Sequence, residues 1–164
     1  VLDRPLADIG GKALWTKELD QWLADGAIDA AVHSLKDVET VRPDFLAIAA
    51  ILPRADKADR LVGAKTIADL KPGAVIGTSA PRRAAQLLHL RPDCRVVSLR
   101  GNVATRLAKL EAGEVDATFL AAAGLERLRM GDVGYRLDPD AWLPAPSQGA
   151  IAIECRTRRS PTLG

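Results

Sequence analysis

At 164 residues the chain is long enough for one or two small domains with cores of their own, and its ordinary apolar content excludes general disorder. A formal net charge of +2 supplies no bulk attraction for nucleic acid, so any cationic function must sit in local clusters. No apolar run approaches the roughly 20 residues of a membrane span, and the opening VLDRPLADIGGK lacks the basic and apolar regions of a signal peptide. Cys94 and Cys155 have no metal-ligand spacing and read as free thiols of a reducing cytosol. The start on Val1 and the ending SPTLG read as a fragment.

Residues 1–12 read as irregular, with Gly10-Gly11 as a hinge. Leu14, Trp15, Leu19, Trp22 and Leu23 recur at helical spacing and predict an amphipathic helix over 12–25, ended by Gly26, with both tryptophans in the core. In DAAVHSLKDVET (29–40) a buried strand runs into a polar cluster of His33, Ser34, Lys36 and Asp37. FLAIAAIL (45–52) predicts another buried strand, and the polar PRADKADR (53–60) a domain crossing. Beyond it come helical IADL (67–70), strand AVIGTS (74–79) and helix PRRAAQLLHL (81–90), with Pro81 in its first turn. Strand CRVVSL (94–99) follows, then a helix over 102–113 closed by Gly113, a strand in VDATFLAAAG (115–124) and a short helix in LERLRM. Residues 132–143 read as loop with a short strand, LPAPSQGA (143–150) as a second crossing, and GAIAIECR (149–156) as a last strand.

Such alternation predicts an α/β fold with mixed, mostly parallel sheets covered by helices. Two crossings around an α/β unit predict an insertion: residues 1–52 with 150–164 form one domain, 61–143 a second, and 53–60 and 144–149 cross between them. A ligand is expected between the two.

IGTSAPRR (76–83) sets Thr78 and Ser79 at a strand end and Arg82 and Arg83 in the first turn of a helix. VSLRGNVATR (97–106) repeats the design with Arg100 and Arg106, and AAAGLERL adds Arg127. Arginines at a helix start oppose its dipole by about 0.3–1 kcal/mol each, so they call for a compensating anion or an acidic partner. The planar fork of arginine suits carboxylates and phosphates, which points to a small polyanion; surface pairing with Glu111, Glu114, Asp116 or Glu126 is the alternative. No GxxxxGK[ST] or GxGxxG is present, against a nucleotide, and no GxSxG elbow. His33 reads as a strand-end histidine satisfied by backbone and His89 as structural, and no residue cluster suits a metal.

GGKALWTKEL, DAAVHSLKDV, IGTSAPRR, SLRGNVATRL, LAAAGLERL and PSQGAIAIECR, in this order and spacing, resemble the porphobilinogen deaminase (hydroxymethylbilane synthase) family over essentially the whole chain. The resemblance implies two periplasmic-binding-protein-like (type II) α/β domains and a third domain absent here. It implies a transferase of tetrapyrrole biosynthesis that joins four porphobilinogen units into hydroxymethylbilane with release of ammonia. A dipyrromethane cofactor, carried on a cysteine that is neither Cys94 nor Cys155, would prime the chain.

Carried over by motif, Asp37 is the catalytic carboxylate. Lys36, Arg82, Arg83, Arg100, Arg106 and Arg127 would hold the carboxylates of cofactor and substrate, with hydroxyl contacts from Ser34, Thr78 and Ser79. Gln148 lies in the second crossing, and Lys12 ends a mobile loop formed by residues 1–12. Ala80 and Pro81 stand where the family usually has serine and leucine, and Asp8 where a basic loop residue is common. The family's segment before this start, and its attachment cysteine, are missing. The chain alone is therefore expected to be inactive; the complete protein is expected to be a cytoplasmic monomer without metal, nucleic-acid or membrane partners. The competing reading is a non-catalytic two-lobed module for a small polycarboxylate anion, and a weaker one is a protein interaction domain.

Overall fold

The computed structural model describes residues 12–157, with side chains from residue 16 onward. The expectations for the Gly10-Gly11 hinge, the loop 1–12, Asp8, the ending SPTLG and the side chains of Lys12, Leu14 and Trp15 lie outside the described residues. The chain divides into two compact units, Val1–Ala55 with Ser147–Gly164, and Asp56–Pro146.

In the first unit, helix α1 (Lys12–Ala24) carries Leu19 and Leu23 on one face and ends where Gly26 takes φ +71°. Leu23 is fully buried against Ala31 and Leu46, with Leu19 and Ile28 at the margin. Burying a leucine this completely is worth about 1.5–3 kcal/mol. Trp22 is only half-buried. The sheet has the order β1 (Ala30–Ser34), β8 (Ile151–Arg156), β2 (Leu46–Ile51), and β8 runs antiparallel to both neighbours. Opposed residues share a face, so Ala31, His33, Ala152 and Glu154 lie on one side of it. The 29–34 and 45–52 runs are not the fully buried strands expected. Buried and exposed residues alternate in β1, and in β2 only Leu46 is buried; Val32 stays 64% exposed and Ile51 56%.

The second unit is a five-stranded sheet, β5 (Arg95–Val97), β4 (Val75–Gly77), β6 (Ala117–Ala121), β3 (Asp59–Val62), β7 (Tyr135–Arg136), with helices α2 (Pro81–Leu90), α3 (Val103–Glu111) and α4 (Ala122–Arg127). Its core gathers Leu61, Ile76, Leu87, Ala117, Phe119 and Trp142, with the Phe119 and Trp142 rings stacked 4.7 Å apart. On α2, Leu87 is buried while Leu88, His89 and Leu90 are exposed, so His89 does not pack inward as its apolar neighbours suggested.

The α/β class with mixed sheets is observed, but not the parallel majority. Among the described residues only β4–β5 and β4–β6 pair parallel, while β1–β8, β2–β8, β3–β6 and β3–β7 are antiparallel. Two strands cause this: β8 returns from the far end of the chain to lie between β1 and β2, and β3 begins inside the segment expected to be a polar crossing. Residues 67–70 form a turn instead of a helix. Thr66 and Asp69 hydrogen-bond one another through side chain and backbone, and Pro72 stops any continuation.

Candidate functional site

In the first unit, β1 delivers the 34–37 segment as a 3-10 turn, Leu35–Asp37. Leu35 N–H donates to the Ala150 carbonyl at 3.0 Å, and Lys36 Nζ to Gln148 Oε1 at 3.1 Å. The turn is thereby pinned to the segment that enters β8. Ser34 and Asp37 are half-buried, Lys36 is exposed and Gln148 is buried. The structure thus brings together Ser34, Lys36, Asp37 and Gln148.

His33 is not satisfied by backbone. Its Nε2 lies 3.2 Å from Glu154 Oε2, with both side chains buried, and makes no hydrogen bond among the described residues. Arg42 forks onto the same carboxylate, Nε to Oε1 and Nη2 to Oε2, each at 2.8 Å, and also donates to Asp20 of α1. The hydrogen bond to Glu154 is the main reason that the Arg42 guanidinium is held above its ordinary pKa.

In the second unit, the parallel strands β4, β5 and β6 end on one edge, and the turns beyond them carry the predicted donors. Thr78 N–H donates to the Val97 carbonyl, and Ser79 Oγ lies 2.9 Å from Ser98 Oγ and donates to the Leu99 carbonyl. These bonds lock the first two turns together. Pro81 starts α2 with its φ preset. Arg82 and Arg83 then turn inward onto Asp59, a fully buried carboxylate at the start of β3. Asp59 Oδ2 accepts from Arg82 Nη2 (2.8 Å), Arg83 Nε (3.0 Å) and Trp142 Nε1 (3.0 Å), and Oδ1 from Arg83 Nη2 (2.6 Å). Arg83 also donates to the Phe119 carbonyl, and Arg82 to the Leu143 carbonyl.

Burial pushes the Asp59 carboxyl up, but hydrogen bonds and charge from Arg83, then Arg82, outweigh it and hold the group below the usual carboxylate range. The acidic partner called for at this helix start is therefore Asp59, not Glu111, Glu114, Asp116 or Glu126. Asp116 pairs with Lys71 and Glu114 with Lys109.

Arg106 is half-buried on α3 and spends its Nε on the Gly101 carbonyl. It has no carboxylate partner among the described residues; burial, then the charge of Arg83, pull its guanidinium below the ordinary value. One carboxylate thus meets two guanidiniums while Arg106 has none, which leaves an excess of positive charge suited to a carboxylate ligand. Arg100 and Arg127 are exposed, and no contact joins them to this group.

Asp59, Arg42 and Glu154 were not singled out in the sequence. The usable signal for Glu154 was a lone carboxylate at an inward position of the apolar run IAIECR, which requires a partner. Among the described residues no group of His, Cys, Asp and Glu is arranged to hold a metal, and no helix is long and apolar enough to cross a membrane.

The fold is similar to that of a periplasmic binding protein. A periplasmic sulfonate-binding protein of an ABC transporter from Methylobacillus flagellatus KT superposes with a TM-score of 0.52 at 19% identity, over 85% of this chain and 45% of that one. The sequence model of the family described as "Porphobilinogen deaminase, dipyromethane cofactor binding domain" matches residues 1–163, and the chain belongs to that family. Porphobilinogen deaminase of Sphingopyxis alaskensis is 60% identical over 99% of this chain and 53% of its own length. That of Syntrophotalea carbinolica is 52% identical, again over 99% and 53%. The chain spans about half the length of the curated relatives it matches.

Proposed function

We propose that these residues form the greater part of the substrate- and cofactor-holding region of a porphobilinogen deaminase, a transferase that joins four porphobilinogen units into hydroxymethylbilane and releases ammonia. The observation that carries this reading is the surplus of guanidinium over carboxylate at these turns, Arg82 and Arg83 sharing Asp59 and Arg106 bonded only to the Gly101 carbonyl, in a chain of this family. Porphobilinogen and a dipyrromethane group both present acetate and propionate side chains, and the donor set on the strand edge fits such a polycarboxylate.

A bound dipyrromethane supplies the pyrrole end to which the first unit is joined. Arg106, Arg100 and Arg127 hold acetate and propionate groups, and Arg82 and Arg83 add positive charge from their places on Asp59. Thr78 and Ser79 order the first two turns. Ser34, Lys36 and Gln148 do the same around Asp37, and Lys12 adds a cation. Asp37 accepts the hydrogen bond of a pyrrole N–H and stabilises the positive charge that grows on the ring as the aminomethyl C–N bond breaks and ammonia leaves. Cys94 is unsuited to carry the cofactor, since it is buried in the sheet core and burial pushes its thiol up. The protein works in the cytoplasm as a monomer, without metal, nucleic acid or membrane.

The test is the intact mass of the complete gene product, expressed in cells that make porphobilinogen, together with its turnover of porphobilinogen. A mass excess matching one dipyrrole, with hydroxymethylbilane as product, is expected. A bare polypeptide mass without turnover would contradict the reading.

A further inference from the structure

The first unit contains a charged cluster that the reading above does not use. Glu154 sits on the central strand β8, fully buried, where a carboxylate is costly unless it is paired. Among the described residues its carboxylate accepts from Arg42, the residue after the 34–41 loop, and lies 3.2 Å from Nε2 of His33, the residue before it. One carboxylate therefore touches both ends of the loop that carries Asp37.

The near half of this loop has other anchors, from Leu35 to the Ala150 carbonyl and from Lys36 to Gln148. The far half does not. Residues 39–41 make no hydrogen bond among the described residues, and Val41 is 84% exposed. What returns the chain to the sheet is the Arg42 fork, whose geometry admits one orientation, with Asp20 of α1 gripping the same guanidinium from the other side.

We propose that Glu154 is a positioning residue which, through Arg42 and His33, closes the 34–41 loop and fixes the place of Asp37. The inference rests on the assignment of Asp37 made above. Misplacing a reacting group by about 1 Å costs up to about a hundredfold in rate, so a loosened loop lowers turnover more than it lowers binding.

The experiment compares Glu154→Gln, Arg42→Lys and Asp37→Asn with wild type in the complete protein. Steady-state turnover of porphobilinogen and amide hydrogen exchange across 34–41 are measured. Glu154→Gln is expected to lower kcat about tenfold, with KM changed less than about threefold, and to speed exchange about tenfold at the Leu35 and Val38 amides, the hydrogen-bonded ones of the loop. Arg42→Lys keeps the charge and loses the fork, so it should fall between Glu154→Gln and wild type in both readouts. A folded Glu154→Gln protein with kcat within about twofold of wild type and unchanged exchange would overturn the proposal. If Glu154→Gln does not fold, Arg42→Lys decides by the same criterion. Asp37→Asn separates the two ideas: wild-type turnover there would remove the catalytic assignment, while exchange at the Leu35 and Val38 amides still reports whether Glu154 closes the loop.

Discussion

Asp59 neutralises only part of the arginine group that surrounds it, and this division sets what single residues should do. Asp59→Ala leaves Arg83 buried without its carboxylate, at a cost of about 3–5 kcal/mol in urea unfolding. The folded-state pKa of Asp59 lies below its unfolded value, so its contribution is present above about pH 4 and disappears as pH falls through the folded value. Asp56 beside Arg136 and Asp116 beside Lys71 shift in the same direction. The urea midpoint should therefore drop on acidification below about pH 4, and Asp59→Asn should flatten that dependence. Arg106 behaves oppositely. Its guanidinium is disfavoured in the fold, so Arg106→Gln should leave thermal stability equal or higher. In the complete protein the same change should raise KM for porphobilinogen about tenfold, because a charge-assisted contact is lost.

Two joints hold the elements of the second unit in register. Asn102 caps α3, accepting from Thr105 N–H at 2.9 Å and from Thr105 Oγ1 at 3.0 Å, so Asn102→Ala should cost about 1 kcal/mol by thermal unfolding. Gly63 ends β3 at φ +108°, where an added Cβ would stand 2.3 Å from the Asp116 carbonyl oxygen; Gly63→Ala should destabilise by about 2 kcal/mol or more. The helices were legible because their apolar spacing, Pro81 and Gly113 are local signals. Strand β3 was not, because its first residues, Asp59 and Arg60, look like surface charges until Arg83 and the Gly134 carbonyl are brought to them. The antiparallel pairing of β8 was equally hidden. Its partners, β1 and β2, lie more than a hundred residues away in sequence, and no local pattern names them. At the site, the motifs told which residue types gather, but not that two of the arginines are already paired inside the protein.

At the scale of the whole molecule, the chain carries its candidate chemistry in both units, the 34–37 turn in one and the arginine-bearing strand edge in the other. The first unit also leaves Val32, Phe45, Ile48 and Ile51 exposed on and beside its sheet. These 164 residues expressed alone should bind a hydrophobic dye and associate with rising concentration, measurable by fluorescence and by light scattering. They should also form no hydroxymethylbilane. The assignment of Asp37 is what separates an enzyme from an anion trap, since a carboxylate weakens anion capture but stabilises a developing positive charge. The most direct measurement is the turnover of porphobilinogen by Asp37→Asn in the complete protein, with binding followed in parallel. A loss of kcat of about a hundredfold or more, with binding within about threefold of wild type, is the predicted result. Turnover within about threefold of wild type, or markedly tighter binding without loss of rate, would contradict it.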